Sequence, residues 1–195
     1  MSDFIRCGWV GKDLIYQQYH DQVWGRPVTD SQTLFAKLCL DGQQAGLSWI
    51  TILKKQQNYE DAFYQFDPVQ IATMTDKDVE RLMQNPGIVR NRLKIQSIIK
   101  NAKAYLTMQE QGEDFSRFIW HFVDHQVVVN RWQQQSDVPT STPQSDAMAK
   151  ALKKRGFNFV GTTICYAFMQ AVGLVNDHTT DCHCYEPCVE LANTI

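Results

Sequence analysis

Apolar positions recur along this chain mostly at the i, i+3, i+4 spacing of a helix with one buried face. Leu34, Phe35, Leu38 and Cys39 form the first clear stripe, with Asp30 or Ser31 as its N-cap. Gly42 and Gly46 break that pattern, and Ser48 then caps a second helix that turns Trp49, Ile50 and Leu53 inward. Residues 58–66 predict a further short helix, closed by Asp67-Pro68. Thr75 and Asp78 have the spacing of a capping box ahead of Val79, Leu82 and Met83. After a turn at Pro86-Gly87, Ile95, Ile98, Ile99, Ala102 and Leu106 line one face of a long helix over residues 91–108. Residues 115–123 read as another apolar-faced helix.

The second half of the chain continues in the same style. Residues 133–145 are rich in Gln, Ser, Thr and Pro and predict an irregular connection. Ser145 is placed to cap a helix over residues 147–155, which Gly156 ends. The longest apolar stretch, residues 159–175, is interrupted by Thr162, Thr163 and Gln170, so it predicts a buried central helix and no membrane span. Val127-Val128-Val129 is too brief to make a sheet alone. The predicted fold class is all-α.

With 195 residues, the chain is long enough for one well-cored unit over residues 1–195. A net charge of −2 supplies no global basic field, so any nucleic-acid function must rest on local patches. Two groups of cations stand out: Arg90, Arg92, Lys94, Lys100 and Lys103, then Lys150, Lys153, Lys154 and Arg155. Such runs are usually solvated helix faces. Both, however, adjoin a glycine-containing turn that leads into a helix, where free N–H groups and cations together suit a phosphate. The N-terminus carries Asp3 and Arg6 and has no signal-peptide apolar core, which predicts a cytoplasmic protein. In that compartment six cysteines argue for burial or metal binding over disulfides. Cys39 and Cys165 sit in apolar helical patterns, whereas Cys7, Cys182, Cys184 and Cys188 lie near the chain ends beside histidines.

Four constellations carry candidate chemistry. In Asp41-Gly42-Gln43-Gln44-Ala45-Gly46-Leu47-Ser48-Trp49, a carboxylate is followed by amides, glycines, an exposed-prone leucine and a flat stacking surface. A helix–helix corner with Trp49 in the core is the plainer reading. Trp9, Tyr16, Tyr19 and Trp24 crowd one short span, with Tyr16 and Tyr19 on one helical face; hydroxyl-bearing rings suit a pocket for a polar, planar ligand. Cys7, His20, His178 and Cys182 offer two thiols and two imidazoles, a donor set for tetrahedral structural zinc, with His183, Cys184 and Cys188 as rival ligands. Finally, Gly156 through Gly161, Thr162 and Thr163 form a glycine-flanked turn between two helices, the pattern of a helix–hairpin–helix or of a simple interhelical loop.

The strings Arg6-Cys7-Gly8-Trp9, Tyr19-His20-Asp21, Leu40 to Trp49, Lys153-Lys154-Arg155-Gly156-Phe157 through Cys165-Tyr166, and Gly173 through His178 occur here in that order. They resemble the constitutive bacterial 3-methyladenine DNA glycosylase I (Tag) family over about residues 6–185. The resemblance implies a helix–hairpin–helix glycosylase fold. Residues 1–30 and 170–195 would form a terminal subdomain tied by one structural Zn2+ on Cys7, His20, His178 and Cys182. Residues 31–169 would form the helical core, including the hairpin 156–163. It also implies a monomer that flips 3-methyladenine out of double-stranded alkylated DNA and hydrolyses its N-glycosidic bond, releasing the free base. Carried across, Asp41 is the catalytic carboxylate, and Tyr19 and Trp49 contact the base with Tyr16, Trp9 and Trp24 around them. Gly46 and Leu47 would fill the gap in the base stack, and Lys153, Lys154, Arg155, Gly156, Gly161, Thr162 and Thr163 would hold the backbone. One departure stands inside the motif: the family pattern has Glu where this chain has Asp41, a methylene shorter. That change makes a catalytically weakened damage-binding protein the alternative. A metal-catalysed hydrolase is the third reading, opposed by a ligand set with no open position. No lysine lies in the Leu40–Trp49 motif, so a monofunctional enzyme without a lyase step is expected.

Overall fold

The computed structural model describes residues 4–195, and among them helices dominate. Asp13 caps α1 (Leu14–Gln22) by accepting from the Ile15 and Tyr16 N–H groups. Asp30 caps α2 (Ser31–Gln43) through the Thr33 N–H at 2.8 Å. This helix does not stop at Gly42, as the apolar pattern predicts, but runs through it. A Cβ at Gly42 would lie 3.2 Å from the Phe159 side chain and 3.2 Å from its carbonyl oxygen. The glycine therefore admits a close neighbour and does not end the helix.

Ser48 opens α3 (Trp49–Leu53), as expected. The single helix predicted over residues 58–66 is instead α4 (Gln56–Ala62) and a tight 3-10 turn (Tyr64–Phe66) with positive φ at Tyr64, Gln65 and Phe66. Asp67 then caps α5 (Pro68–Ala72), so the dipeptide that closes one element opens the next. In α6 (Asp76–Leu82) the Thr75 N–H donates to the Asp78 carboxylate at 2.7 Å, the expected capping interaction. Asn91 caps the long α7 (Arg92–Glu110), and Asp114 caps α8 (Phe115–His121).

The connection over residues 133–145 holds a 3-10 turn (Gln135–Asp137) and ends early. The next helix, α9 (Pro143–Lys154), starts from Thr142 and not from Ser145, because Pro143 is pre-set for a first helical position and Ser145 sits inside the first turn. Then come α10 (Thr162–Ala171) and α11 (Tyr185–Ala192). The all-α expectation needs one correction. Val128–Val129 (β1) pairs in parallel with Val175–Asn176 (β2), Val128 facing Val175. The partner of the valine run lies far along the chain, beyond the reach of local patterning.

The core gathers around α2, which packs on α7, α8 and α10, while α10 also packs on α9. Leu34, Phe35, Leu38, Ile52, Ile95, Ile98, Met148, Leu152 and Phe168 are wholly buried there. The chain ends meet on one side: the Val28 N–H donates to Val172 O at 2.9 Å and the His183 N–H to Ile5 O at 2.9 Å. Gly173 sits in that seam at φ +74°, and a Cβ on it would fall 2.4 Å from the Pro27 nitrogen, so only glycine fits. Among the described residues, no helix is long and apolar enough to cross a membrane.

Candidate active site and metal centre

Helices α1, α2, α3 and α10 enclose a pocket of about 230 Å³. All five aromatic residues singled out in the sequence, Trp9, Tyr16, Tyr19, Trp24 and Trp49, line it together with Asp41. Tyr19 and Trp49 stand with ring centroids 5.6 Å apart, and Trp9 meets Tyr16 at 4.8 Å and Trp24 at 5.1 Å. The walls are thus flat π-surfaces suited to a planar or cationic guest.

Asp41 is buried, and burial pushes its carboxyl pKa up while the neighbouring Lys37 ammonium pulls it back down. Its Oδ1 accepts from Lys37 Nζ at 2.6 Å, and its Oδ2 has no hydrogen-bond partner. Trp49 Nε1 is the other buried side-chain nitrogen or oxygen left without one among the described residues. An unmet acceptor and an unmet donor at one pocket are costly unless a guest completes them. The shorter carboxylate of Asp41 thus still lines the pocket.

Periodicity missed several lining residues. Lys37, Gln44, Gln135, Ala167, Gln170 and Ala171 also face the pocket. Lys37 was legible as the i−4 partner of Asp41, but it lies one turn before the motif that carries no lysine. Gln135 comes from the irregular connection and Gln170 from α10. Asp177 accepts from Asn130, Trp132, Tyr166 and Gln170, so its carboxylate is spent holding these groups in place and has no capacity left for a reacting group.

Behind the pocket, Cys7, His20, His178 and Cys182 are all buried, with their donor atoms within 4.8 Å of one another. Sγ of Cys182 lies 3.5 Å from His20 Nε2 and 3.5 Å from His178 Nδ1, and Cys7 Sγ lies 3.5 Å from His178 Nδ1. Zinc bond lengths with tetrahedral angles require S···N edges of about 3.5 Å. The donor set fits the ion. The remaining imidazole nitrogens are also engaged, His20 Nδ1 with Asp21 Oδ1 at 2.8 Å and His178 Nε2 with Trp24 O at 3.2 Å. Such partners fix a ligand's tautomer and orientation.

The rival donors take other places. His183 Nε2 contacts Asp21 Oδ1 at 3.0 Å, and Cys184 Sγ approaches the same carboxylate. His20, Asp21, His183 and Cys184 form a second cluster, but Asp21 already spends its oxygens on Arg6, His20 and His183. Cys188 is buried in neither cluster.

The turn between α9 and α10 backs onto Asp41's helix through the Phe159–Gly42 contact. Asn101 of α7 clamps it, accepting from the Asn158 N–H at 2.8 Å and donating to Asn158 O at 3.3 Å. Gly161 leads into α10 with no side-chain cap, which leaves first-turn N–H groups open, and Thr163, Lys153 and Lys154 are exposed. Two of the predicted contributors also have partners within the chain. Arg155 is paired with Glu113 at 2.8 Å and stacked over Phe118, and the Thr162 hydroxyl is spent on Asp146 at 2.6 Å. Leu47 follows Gly46 at an exposed corner, the residue 40% accessible despite its apolarity. The first basic group disperses: Lys94 is buried, donating to Gln43 O and Ala45 O, and Arg92 pairs with Glu80.

A helical unit with an aromatic, carboxylate-bearing pocket is architecturally a DNA glycosylase: it superimposes on the crystal structure of a 3-methyladenine DNA glycosylase I with a TM-score of 0.92 at 61% identity, covering 93% of this chain and all of that one. The family model for methyladenine glycosylases matches residues 9–185, and the chain belongs to that family. It is 62% identical over 180 residues to DNA-3-methyladenine glycosylase 1 of Escherichia coli K12, covering 92% of this chain and 96% of the relative. A structure describing 3-methyladenine recognition by the Staphylococcus aureus enzyme matches with a TM-score of 0.89 at 41% identity, covering 92% of this chain and 96% of that chain.

Proposed function

We propose that this chain is a monofunctional DNA glycosylase that releases 3-methyladenine from alkylated double-stranded DNA. The observation that carries the reading is the aromatic pocket whose buried Asp41 keeps one oxygen unpartnered. Alkylation at adenine N3 leaves the nucleotide base cationic and weakens its bond to the sugar. A flipped base of that kind gains from the carboxylate and from the π-faces of Tyr19 and Trp49, cation–π contact alone contributing about 0.5–2 kcal/mol. Flipping costs a few kcal/mol, least for a damaged base.

Asp41 Oδ2 is the acceptor for the base's exocyclic amine, and Tyr16, Trp9 and Trp24 close the slot around the ring. The N-glycosidic bond breaks with its electron pair leaving on the base, which becomes neutral, and water adds to the sugar carbon and loses a proton. Leu47, presented by Gly46, fills the vacated stack. Gly156 and Gly161 shape a helix–hairpin–helix turn whose α10 N–H groups, with Lys153, Lys154 and Thr163, take phosphate. Arg155 and Thr162 serve by bracing that turn.

Zinc on Cys7, His20, His178 and Cys182 fastens residues 1–30 to residues 170–195 around the helical core of residues 31–169. Four protein ligands fill the tetrahedron, so the ion's work is structural. The protein acts as a monomer in the bacterial cytoplasm. Incubation with methylated double-stranded DNA and chromatography of the released bases tests the reading. Free 3-methyladenine without strand cleavage is the expected outcome; tight binding to alkylated DNA with no released base would replace the enzyme by a damage-binding protein.

A further inference from the structure

Lys37 occupies an unexpected position for a lysine. Its Nζ lies 2.6 Å from Asp41 Oδ1 and 3.4 Å from the centroid of the Trp49 ring, with the Tyr19 ring centroid at 5.8 Å. A base stacking on an aromatic face sits at about the same height, since close-packed carbon atoms stand roughly 3.5–4.0 Å apart. The ammonium thus rests on the same π-face and the same carboxylate that the pocket would offer a cationic base. Asp41 Oδ2 and Trp49 Nε1 remain unmet around it, so Lys37 satisfies the site only in part.

The side chain also has somewhere to go. Lys37 also lines an adjoining hollow, of about 440 Å³, where Asp30, Gln56 and Glu60 are among the lining residues. Tyr19, Lys37 and Ala171 border both cavities, which makes Lys37 part of the partition between them. A four-carbon stem with free rotors can carry the ammonium from one to the other without moving the backbone. The carboxylates of Asp30 and Glu60 offer it counter-charge on that side.

We propose that Lys37 is a tethered occupant of the base slot, a cation held on Asp41 and Trp49 in the free enzyme that withdraws into the outer hollow when a flipped base enters. The inference rests on the reading of the pocket as a base site. Its consequence is selectivity: a base that binds Asp41 weakly does not displace the ammonium, while 3-methyladenine in its cationic nucleotide form competes with it charge for charge. An internal competitor lowers apparent affinity by the fraction of time the slot is open.

Two measurements test this on the intact protein. Lysine-selective 13C labelling isolates the Lys37 ε-methylene signal, assigned by its loss in Lys37→Met. It should lie upfield from the Trp49 ring current in the free protein and return to the ordinary lysine range on saturation with 3,9-dimethyladeninium, which keeps the positive charge of the nucleotide form because N9 is alkylated. At a pH where Asp41 is ionised in both proteins, Lys37→Met should bind that cation about tenfold more tightly than the unaltered chain, the gain expected where the open slot is populated about a tenth of the time. Tighter binding with an unshifted signal in the free protein, an upfield signal that stays put when base binds, or weaker binding by Lys37→Met would each overturn the inference, the last two making Lys37 a fixed wall of the slot. Base bound by neither protein removes the base-site reading itself and this inference with it.

Discussion

Asp41 and Lys37 set the chemistry of the slot between them. Asp41 offers negative charge to a cationic base only when ionised, and its pKa is raised because burial outweighs the pull of the Lys37 ammonium. Excision should therefore fall on acidification at a pH above the ordinary aspartate range. Lys37→Met removes both the Coulombic attraction and the hydrogen bond that lower this pKa and leaves burial alone. The acid limb of kcat/KM should then move to higher pH, which a pH–rate profile of the two proteins measures; an unmoved or lowered limb would show that Asp41 is not the titrating group. Asp41→Asn keeps the shape and loses the charge, and single-turnover excision should drop on the order of 100-fold, the scale of a removed electrostatic contact to a reacting group.

At the scale of elements, α2 carries the site because two neighbouring segments fix its C-terminal turn. Lys94 of α7 ties down Gln43 O at 2.9 Å and Ala45 O at 2.5 Å, and the hairpin between α9 and α10 presses Phe159 against Gly42. Gly42→Ala should cost about 1–3 kcal/mol by overpacking that contact, visible as a lowered Tm, and should slow excision more than a surface change of equal Tm effect. A Gly42→Ala protein as stable as the original would mean that the hairpin yields easily. On the hairpin itself, Lys153→Gln with Lys154→Gln should weaken binding to alkylated and undamaged duplexes alike. The salt slope should shrink by about one for each phosphate no longer neutralised, whereas an unchanged slope would place the DNA backbone elsewhere.

The whole molecule depends on bringing its two ends together. Structural zinc sites contribute about 10–16 kcal/mol of apparent binding energy, enough to decide whether the termini dock. The purified protein should hold one zinc per chain by elemental analysis, and Cys182→Ser should lose both the ion and the upper part of the thermal transition. A zinc-free protein of unchanged Tm would sink the structural role. Gly173 lies in the same seam, where the Arg26 carbonyl oxygen would sit 2.7 Å from an added Cβ. That contact with backbone explains why the seam leaves no room for any other residue.

What the chain fixed by itself was local: the caps at Asp30 and the Thr75–Asp78 pair, the faces of α2 and α7, and the residue types of the pocket and the metal cluster. These are legible because capping and periodicity act over a few residues. Tertiary structure alone decided which distant groups meet. Val128 found Val175, Gly42 became a seat for Phe159, Arg155 and Thr162 were drawn into Glu113 and Asp146, and Gln135 and Gln170 joined the pocket. It also turned Lys37 from a charge on a helix face into an ammonium on the Trp49 ring. Burial and close approach between remote segments set those outcomes, and local spacing does not encode them.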